Sequence, residues 1–149
     1  MPICEPLINE NVKVVLDTNV LLIALPLSSP YRHIYDSLLQ EKYTLVVTTE
    51  ILNEYEEILS KQITPTIAEN VIRLLLSLPN IEKKEVYYRW GLIDADSDDN
   101  KFVDCAIAAN ARFVVTEDKH FNVLKGVNFP KVNVINSDEF QELLRDGNN

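Results

Sequence analysis

The sequence predicts an α/β domain in which a parallel sheet of about four or five strands is covered by helices on both faces. Short apolar runs alternate with amphipathic segments along the chain, and several of these runs are apolar at every residue. Uniformly apolar strands are typical of a parallel sheet that is buried on both faces, and alternation with helices predicts crossover connections. With 149 residues, 46% hydrophobic and 25% charged, the chain has the composition of one globular domain.

The predicted strands are the short runs that are rich in β-branched and aromatic residues. They lie at residues 12–16, 43–48, 81–88, 112–116 and 132–135. The first of them, followed directly by a helical pattern, predicts the opening strand–helix unit of the sheet.

Six helices are predicted from apolar residues that recur at helical spacing and from the residues that begin or end each pattern. They span residues 18–25, 30–39, 49–59, 66–78, 100–110 and 137–144. Pro26 and Pro79 end the first and fourth helices, and Ser28-Ser29-Pro30 starts the second. Thr48 or Thr49 can cap the third helix and Ser137 the last.

Two acidic residues interrupt apolar runs in which a folded protein would disfavour them. Asp17 ends the first strand, and Asp104 lies in the second turn of the helix at 100–110, too late to cap it. A buried carboxylate needs a cation, a hydrogen-bond network or a raised pKa, and neither run offers an obvious Lys or Arg. These acids therefore favour a site for a divalent metal ion, although Asp17 could also serve as a helix cap.

Three further positions could contribute to the same site. Asp118 follows the strand at 112–116, and like Asp17 it lies at the carboxyl end of a strand, where α/β folds form their sites. Glu54 borders the apolar face of its helix, whereas Glu56 faces solvent. Asp98 or Asp99 precedes the helix that holds Asp104, and we favour Asp99. Each has a simpler interpretation: a turn for Asp118, a solvated charge for Glu54 and a cap for Asp99.

Other site chemistries fit the sequence poorly. An EF-hand counted from Asp94 lacks Gly at its sixth position and Glu at its twelfth. No glycine-rich phosphate loop is present, and His33 and His120 lack partners at zinc-ligand spacing, so His120 is interpreted as a surface-loop residue. Cys4 and Cys105 are interpreted as free thiols. Oxygen ligands of this kind suit Mg²⁺ or Mn²⁺.

The formal net charge of −9 counts against a nucleic-acid partner, although more than half of the basic residues lie between positions 83 and 131. No apolar run is long enough to span a membrane and the N-terminus does not resemble a secretory signal, so we expect a cytoplasmic protein. We expect an N-terminal extension at residues 1–11, the domain at 12–145 and a tail at 146–149.

Four segments in this order resemble the PIN domain family. They are Val14-Val15-Leu16-Asp17-Thr18-Asn19-Val20-Leu21, Thr49-Glu50-Ile51-Leu52-Asn53-Glu54-Tyr55, the run from Asp98 to Ala111, and Val114-Val115-Thr116-Glu117-Asp118. The resemblance is strongest to the prokaryotic branch described as toxin components of toxin–antitoxin systems. It implies a three-layer α/β/α fold and metal-dependent endoribonuclease activity on single-stranded RNA.

The resemblance also implies roles for particular residues. Asp17, Glu54, Asp104 and Asp118 match the acidic quartet of the family, and Asp99 matches a further metal-binding acid. Asn19 and Thr116 would orient a carboxylate or the substrate. The candidate partners are single-stranded RNA, a cognate antitoxin and a second copy of the chain. The alternative hypothesis is a non-catalytic PIN-like module that binds RNA or protein.

Overall fold

The structure, a computed structural model, describes residues 8–146. Its centre is a five-stranded parallel sheet with the strand order β3-β2-β1-β4-β5. The strands are β1 (Lys13–Leu16), β2 (Thr44–Val47), β3 (Ile81–Lys83), β4 (Phe113–Val115) and β5 (Val134–Ile135). The predicted parallel sheet of four or five strands is confirmed.

Six α-helices connect and cover the strands: α1 (Thr18–Ala24), α2 (Arg32–Leu39), α3 (Thr49–Gln62), α4 (Pro65–Ser77), α5 (Asn100–Ala109) and α6 (Ser137–Asp146). The Thr48 hydroxyl accepts a hydrogen bond from Ile51 N at 3.1 Å and thereby caps α3, as the sequence predicts. Asn110 ends α5 in the left-handed conformation, with φ at 53°.

The helices form one layer on each side of the sheet. On one side α2 contacts α6, and Tyr43 packs on both because its hydroxyl donates to Ile34 O and its ring meets Phe140 edge-on. On the other side α5 contacts β1, β2 and β4, and α3 packs against α4 and α5. The central strands are buried on both faces, as the fully enclosed Val14 and Val15 show.

Local differences from the predicted elements have physical reasons. The strand predicted at 81–88 ends at Lys83, because β2 ends at Val47 and Lys84 N makes the last bond to that strand, at 2.8 Å from Val47 O. The chain then runs without regular structure to a short 3₁₀ helix, Ser97–Asp99. The loop expected after Asp118 is a second 3₁₀ helix, Lys119–Gly126.

Two other elements are shorter than the sequence predicts. The last strand is limited to Val134–Ile135, where it pairs with β4. Helix α2 begins two residues after Pro30, because Ser29 Oγ accepts from Tyr31 N and holds a turn before the helix.

The predicted N-terminal extension at residues 1–11, including Cys4, lies largely outside the described residues, as does most of the tail predicted at 146–149. Within residues 8–146, no helix has both the length and the apolar composition that crossing a bilayer requires. Cys105 is a free, buried thiol of α5.

One buried hydrogen bond holds the sheet edge from which Asp17 projects. Tyr55 of α3 is fully buried, and its hydroxyl donates to Leu16 O at 2.6 Å. Because Leu16 is the last residue of β1, this bond fixes the helix that carries Glu54 relative to the strand that precedes Asp17.

We expect Tyr55→Phe to lower the free energy of unfolding by about 1–3 kcal/mol, because the buried Leu16 carbonyl loses its donor. Urea denaturation followed by circular dichroism measures the effect. Tyr88→Phe is the control, because that side chain is exposed and its loss of a hydroxyl should change the unfolding free energy by less than about 0.5 kcal/mol. Equal stability of Tyr55→Phe and the parent protein would contradict the structural role of the bond.

Candidate metal centre

Asp17 lies at the carboxyl end of the central strand and points its carboxylate toward β4 rather than into helix α1. Its backbone N donates to Val115 O at 3.0 Å, and its side chain makes no capping bond to α1. Instead Oδ2 accepts from the Thr116 hydroxyl at 2.8 Å. The capping interpretation therefore does not account for this carboxylate, which is only 5% exposed.

Thr116 joins Asp17 to Asp118. Its hydroxyl donates to Asp17 and accepts from Asp118 N at 3.0 Å, so one buried side chain contacts both acidic residues. Asp118 Oδ1 in turn accepts from His120 N at 2.8 Å. The predicted turn role of Asp118 is real, since this bond caps the 3₁₀ helix, but its carboxylate also faces the other acids.

Glu54 reaches the centre from α3, on the helix face that borders the core. The Thr18 hydroxyl donates to Oε2, and Lys101 Nζ lies 2.6 Å from Oε1. The Glu54 side chain is 24% exposed and that of Lys101 only 15%, so this ion pair is partly shielded from solvent. Glu56 is exposed on the other face of the same helix, as predicted.

Among the acids of this centre, Asp99 has the fewest hydrogen bonds to offset the burial of its charge. It is 8% exposed, and its Oδ2 has no hydrogen-bond partner among residues 8–146. Burial, followed by the negative charges of Asp118, Asp96 and Asp17, raises the pKa of Asp99 to about 7. A buried oxygen without a donor, surrounded by like charges, is in a suitable environment for a cation.

His120 also lies in this group, whereas the sequence favoured a surface-loop position over a role near the site in positioning substrate. Its Nδ1 lies 3.3 Å from Asp118 Oδ1 and 3.6 Å from Asp99 Oδ2, while its side chain is 47% exposed. One ligand atom each from Asp96, Asp99 and His120 lies within 4.8 Å of the other two. Asp96 and His120 were missed because neither interrupts an apolar run, which was the signal that identified Asp17.

Asp104 is placed apart from these acids. Its Oδ1 accepts from Trp90 N at 3.1 Å, and the charges that influence its pKa are those of Arg89 and Glu50 rather than the other acids. Five residues along a helix correspond to a rotation of about 140°, so Asp99 and Asp104 lie on different sides of the α5 axis. Its membership of the quartet stays a prediction that this placement does not support.

Asn19 is exposed in the first turn of α1, and no described residue hydrogen-bonds its side chain. The amide is therefore accessible at the mouth of the centre. A role for it in contacting substrate remains a prediction.

The donor set fits a hard divalent cation. Asp17, Glu54, Asp99 and Asp118 supply carboxylate oxygens from four separate segments, and Asp99 Oδ2 lacks a hydrogen-bond partner among the described residues. Burial raises the pKa of Asp17, the bond from Thr116 opposes this effect, and the charge of Glu54 adds to it. The acids therefore repel one another unless positive charge is bound among them.

We expect Asp99→Asn to raise the melting temperature of the metal-free protein by a few degrees at about pH 8. Because the pKa of Asp99 is raised from 3.8 to about 7 on folding, its contribution to stability is complete below about pH 4 and is lost as pH rises through about 7. The gain should therefore disappear near pH 4. Thermal unfolding in EDTA across this range measures it.

The matched control is Asp98→Asn, an exposed neighbour whose side chain makes no described hydrogen bond. It should leave the pH dependence of the melting temperature unchanged. A melting temperature of Asp99→Asn that equals the parent value at about pH 8 would mean that the ionised Asp99 is not destabilising.

Comparisons with known proteins identify the family and the fold. Residues 13–120 match the PIN domain family. VapBC2 from Rickettsia felis, solved bound to a promoter DNA fragment, superposes with a TM-score of 0.58 at 19% identity, covering 84% of this chain and 98% of that one. DNA-bound VapBC from Salmonella typhimurium gives a TM-score of 0.58 at 16% identity, with 85% and 98% covered.

Two further structures share the fold. FitAcB from Neisseria gonorrhoeae has a TM-score of 0.51 at 19% identity and covers 83% of this chain and 97% of its own. The PIN domain endonuclease Utp24 has a TM-score of 0.50 at 15% identity, with 87% of each chain covered. None of the curated proteins compared with the sequence matches it. The family match runs from the start of β1 to His120 and covers most of the chain. The chain therefore belongs to the PIN domain family.

Proposed function

We propose that this protein is a metal-dependent endoribonuclease that hydrolyses phosphodiester bonds of single-stranded RNA. The observation that carries the proposal is the convergence of Asp17, Glu54, Asp99 and Asp118 at the carboxyl edge of the sheet, with one buried Asp99 oxygen that has no hydrogen-bond partner among the described residues. Acidic groups collected at their own electrostatic cost indicate a functional site. The described residues of this group include no Ser or Cys nucleophile, which leaves water as the attacking group.

Mg²⁺ or Mn²⁺ would be held by Asp17, Asp99 and Asp118, with Glu54 beside them. Such an ion, when bound, lowers the pKa of water and stabilises charge that develops on a phosphoryl group. Thr116 would keep the Asp17 carboxylate oriented through its 2.8 Å hydrogen bond, and Thr18 would do the same for Glu54. Lys101, 2.6 Å from Glu54, places a positive charge where a substrate phosphate would approach.

We further propose a cognate antitoxin as the protein partner, and the cytoplasm as the place of action. Support comes from the resemblance of the sequence to the toxin branch of the family and from the fold shared with VapBC2 and FitAcB. A partner that inserts a cationic side chain among the acids would block the centre by replacing the metal charge. A homodimer is a further prediction from the family resemblance.

Glu54→Gln and Asp17→Asn should each reduce cleavage of a labelled single-stranded RNA by at least about a hundredfold, because each removes a carboxylate from the centre. Gel analysis with Mn²⁺, Mg²⁺ or EDTA measures the rate. Glu56→Gln is the matched control: it lies two residues along α3 on the solvent side and should cleave at the parental rate. Cleavage that persists in Asp17→Asn would reject the assignment, and metal-independent RNA binding without any cleavage would favour the non-catalytic module.

Metal binding can be tested without RNA. Millimolar Mn²⁺ should raise the melting temperature of the parent protein, because a ligand that binds only the folded state stabilises it. EDTA should reverse the increase, and both Asp17→Asn and Asp99→Asn should abolish most of it. An increase of equal size in these variants would place the ion elsewhere.

A further inference from the structure

A cavity of about 280 Å³ lies beside the acidic centre, at the carboxyl ends of β2 and β3. Its walls come from α3, α5 and the irregular segment after β3, and they include Glu50, Lys84, Tyr87, Arg89, Lys101 and Asp104. Ligand pockets in proteins start near 300 Å³, so the cavity has room for one small group rather than a large ligand.

The cavity adjoins the acidic centre at two residues. Lys101 lines the cavity and at the same time bonds to Glu54 of the centre. Glu50 lines the cavity from a position one helical turn before Glu54 on α3. A single-stranded RNA with one phosphodiester at the acidic centre would therefore place an adjacent nucleotide in this cavity.

Asp104 supplies a buried acceptor to the cavity. The residue is 2% exposed, its Oδ1 accepts from Trp90 N, and no described residue donates to its Oδ2. Asp104 lines the cavity, and Oδ2 is the carboxylate oxygen that its bond from Trp90 leaves for a ligand. An ionised carboxylate accepts hydrogen bonds only, so the complementary group on a ligand is a donor such as an exocyclic amino group.

The cavity wall also includes an exposed aromatic ring and three cations, of which Arg89 is paired with Glu50 and Lys101 with Glu54. Tyr87 is 89% exposed, which leaves its ring available as a stacking surface. Lys84, Arg89 and Lys101 match in number the three cavity acids Glu50, Glu85 and Asp104, whereas the whole chain has 14 basic and 23 acidic residues. The net negative charge that would repel a phosphate is therefore smaller around the cavity than over the whole chain.

We propose that this cavity binds one nucleotide of single-stranded RNA, next to the phosphodiester at the acidic centre, and that Asp104 selects a base with an exocyclic amino group. The base stacks on Tyr87, its amino group donates to Asp104, and its phosphate lies near Lys84 and Arg89. The proposal rests on the proposed ribonuclease function. It gives Asp104 a role in substrate selection in place of metal binding.

Cytidine and uridine provide the test, because cytosine carries an exocyclic amino donor where uracil carries a carbonyl acceptor, while ring nitrogen N3 accepts in cytosine and donates in uracil. Binding of equal-length oligocytidylate and oligouridylate is measured by fluorescence anisotropy in the Asp17→Asn background with EDTA, so that nothing is cleaved. The cytidylate should bind about tenfold more tightly, which corresponds to one discriminating contact. Trp90, the single tryptophan, should report the same titration by its fluorescence.

Variants then test which residues cause the preference for cytidylate. Adding Asp104→Asn, which keeps an oxygen for the Trp90 N–H but adds a donor, should remove the difference between the two oligonucleotides. Adding Tyr87→Ala should weaken both about tenfold or more. Phe129→Ala is the control, because Phe129 is 85% exposed, contacts Trp90 and does not line this cavity, and it should change neither affinity.

The outcomes separate this proposal from the proposed function. Equal affinity for the two oligonucleotides, no binding of either, or a preference that survives Asp104→Asn overturns the nucleotide cavity, even if the parent protein cleaves RNA. A preference that Asp104→Asn removes, together with weaker binding of both oligonucleotides in Tyr87→Ala, supports the cavity, even if the parent protein fails to cleave and the nuclease assignment falls. If Asp104→Asn does not fold, parental affinity in the exposed variant Tyr87→Ala is sufficient to reject the proposal.

Discussion

The Thr116 hydroxyl is the contact on which the arrangement of the acidic centre depends. It donates to Asp17 and accepts from Asp118 N, and it lies between the carboxyl ends of the neighbouring strands β1 and β4. A hydroxyl suits this position because it can donate and accept at once, whereas a methyl group would leave a buried carboxylate without its donor. The spacing of the two acids is therefore set by the register of two buried strands, which are among the most rigid parts of the protein.

The acids of the centre differ in how far neighbouring groups offset the free-energy cost of burying their charges. Asp17 has Thr116, and Glu54 has Thr18 and Lys101, but Asp99 Oδ2 has no hydrogen-bond partner among the described residues, and His120 Nδ1 lies 3.6 Å from it. Burial and the neighbouring acids consequently raise the pKa of Asp99 to about 7, so that near neutral pH part of the protein keeps a proton there. A bound cation would displace that proton and relieve the repulsion. The same carboxyl group thus links folding stability to metal affinity. A proton on Asp99 stabilises the metal-free fold and competes with a bound cation.

Helix α5 and its cap separate two kinds of acidic residue. Asp99, at the cap, joins the centre, while Asp104 faces the Trp90 N–H and the cavity beside the centre. Lys101 lies between them in sequence, bonds to Glu54 and lines the same cavity. One short helix therefore contributes to the site that would act on a phosphodiester and to the adjoining surface that would contact a nucleotide. In the proposed mode of binding, the irregular segment after β3, with Tyr87 and Arg89, would contact substrate as well as connect two elements.

The sequence by itself determined the α/β class, the five strand positions to within a few residues, and the placement of Asp17 and Asp118 at strand ends, because burial and helical periodicity are local patterns. It also determined which face of α3 carries Glu54. The sequence predicted both Asp99 and Asp104 as metal ligands, and only the tertiary structure showed that Asp99 lies among the other acids while Asp104 accepts from Trp90 N, since the packing of α5 is not encoded in its periodicity. The same holds for His120 and Lys101, whose proximity to acids distant in sequence arises from the packing of separate elements.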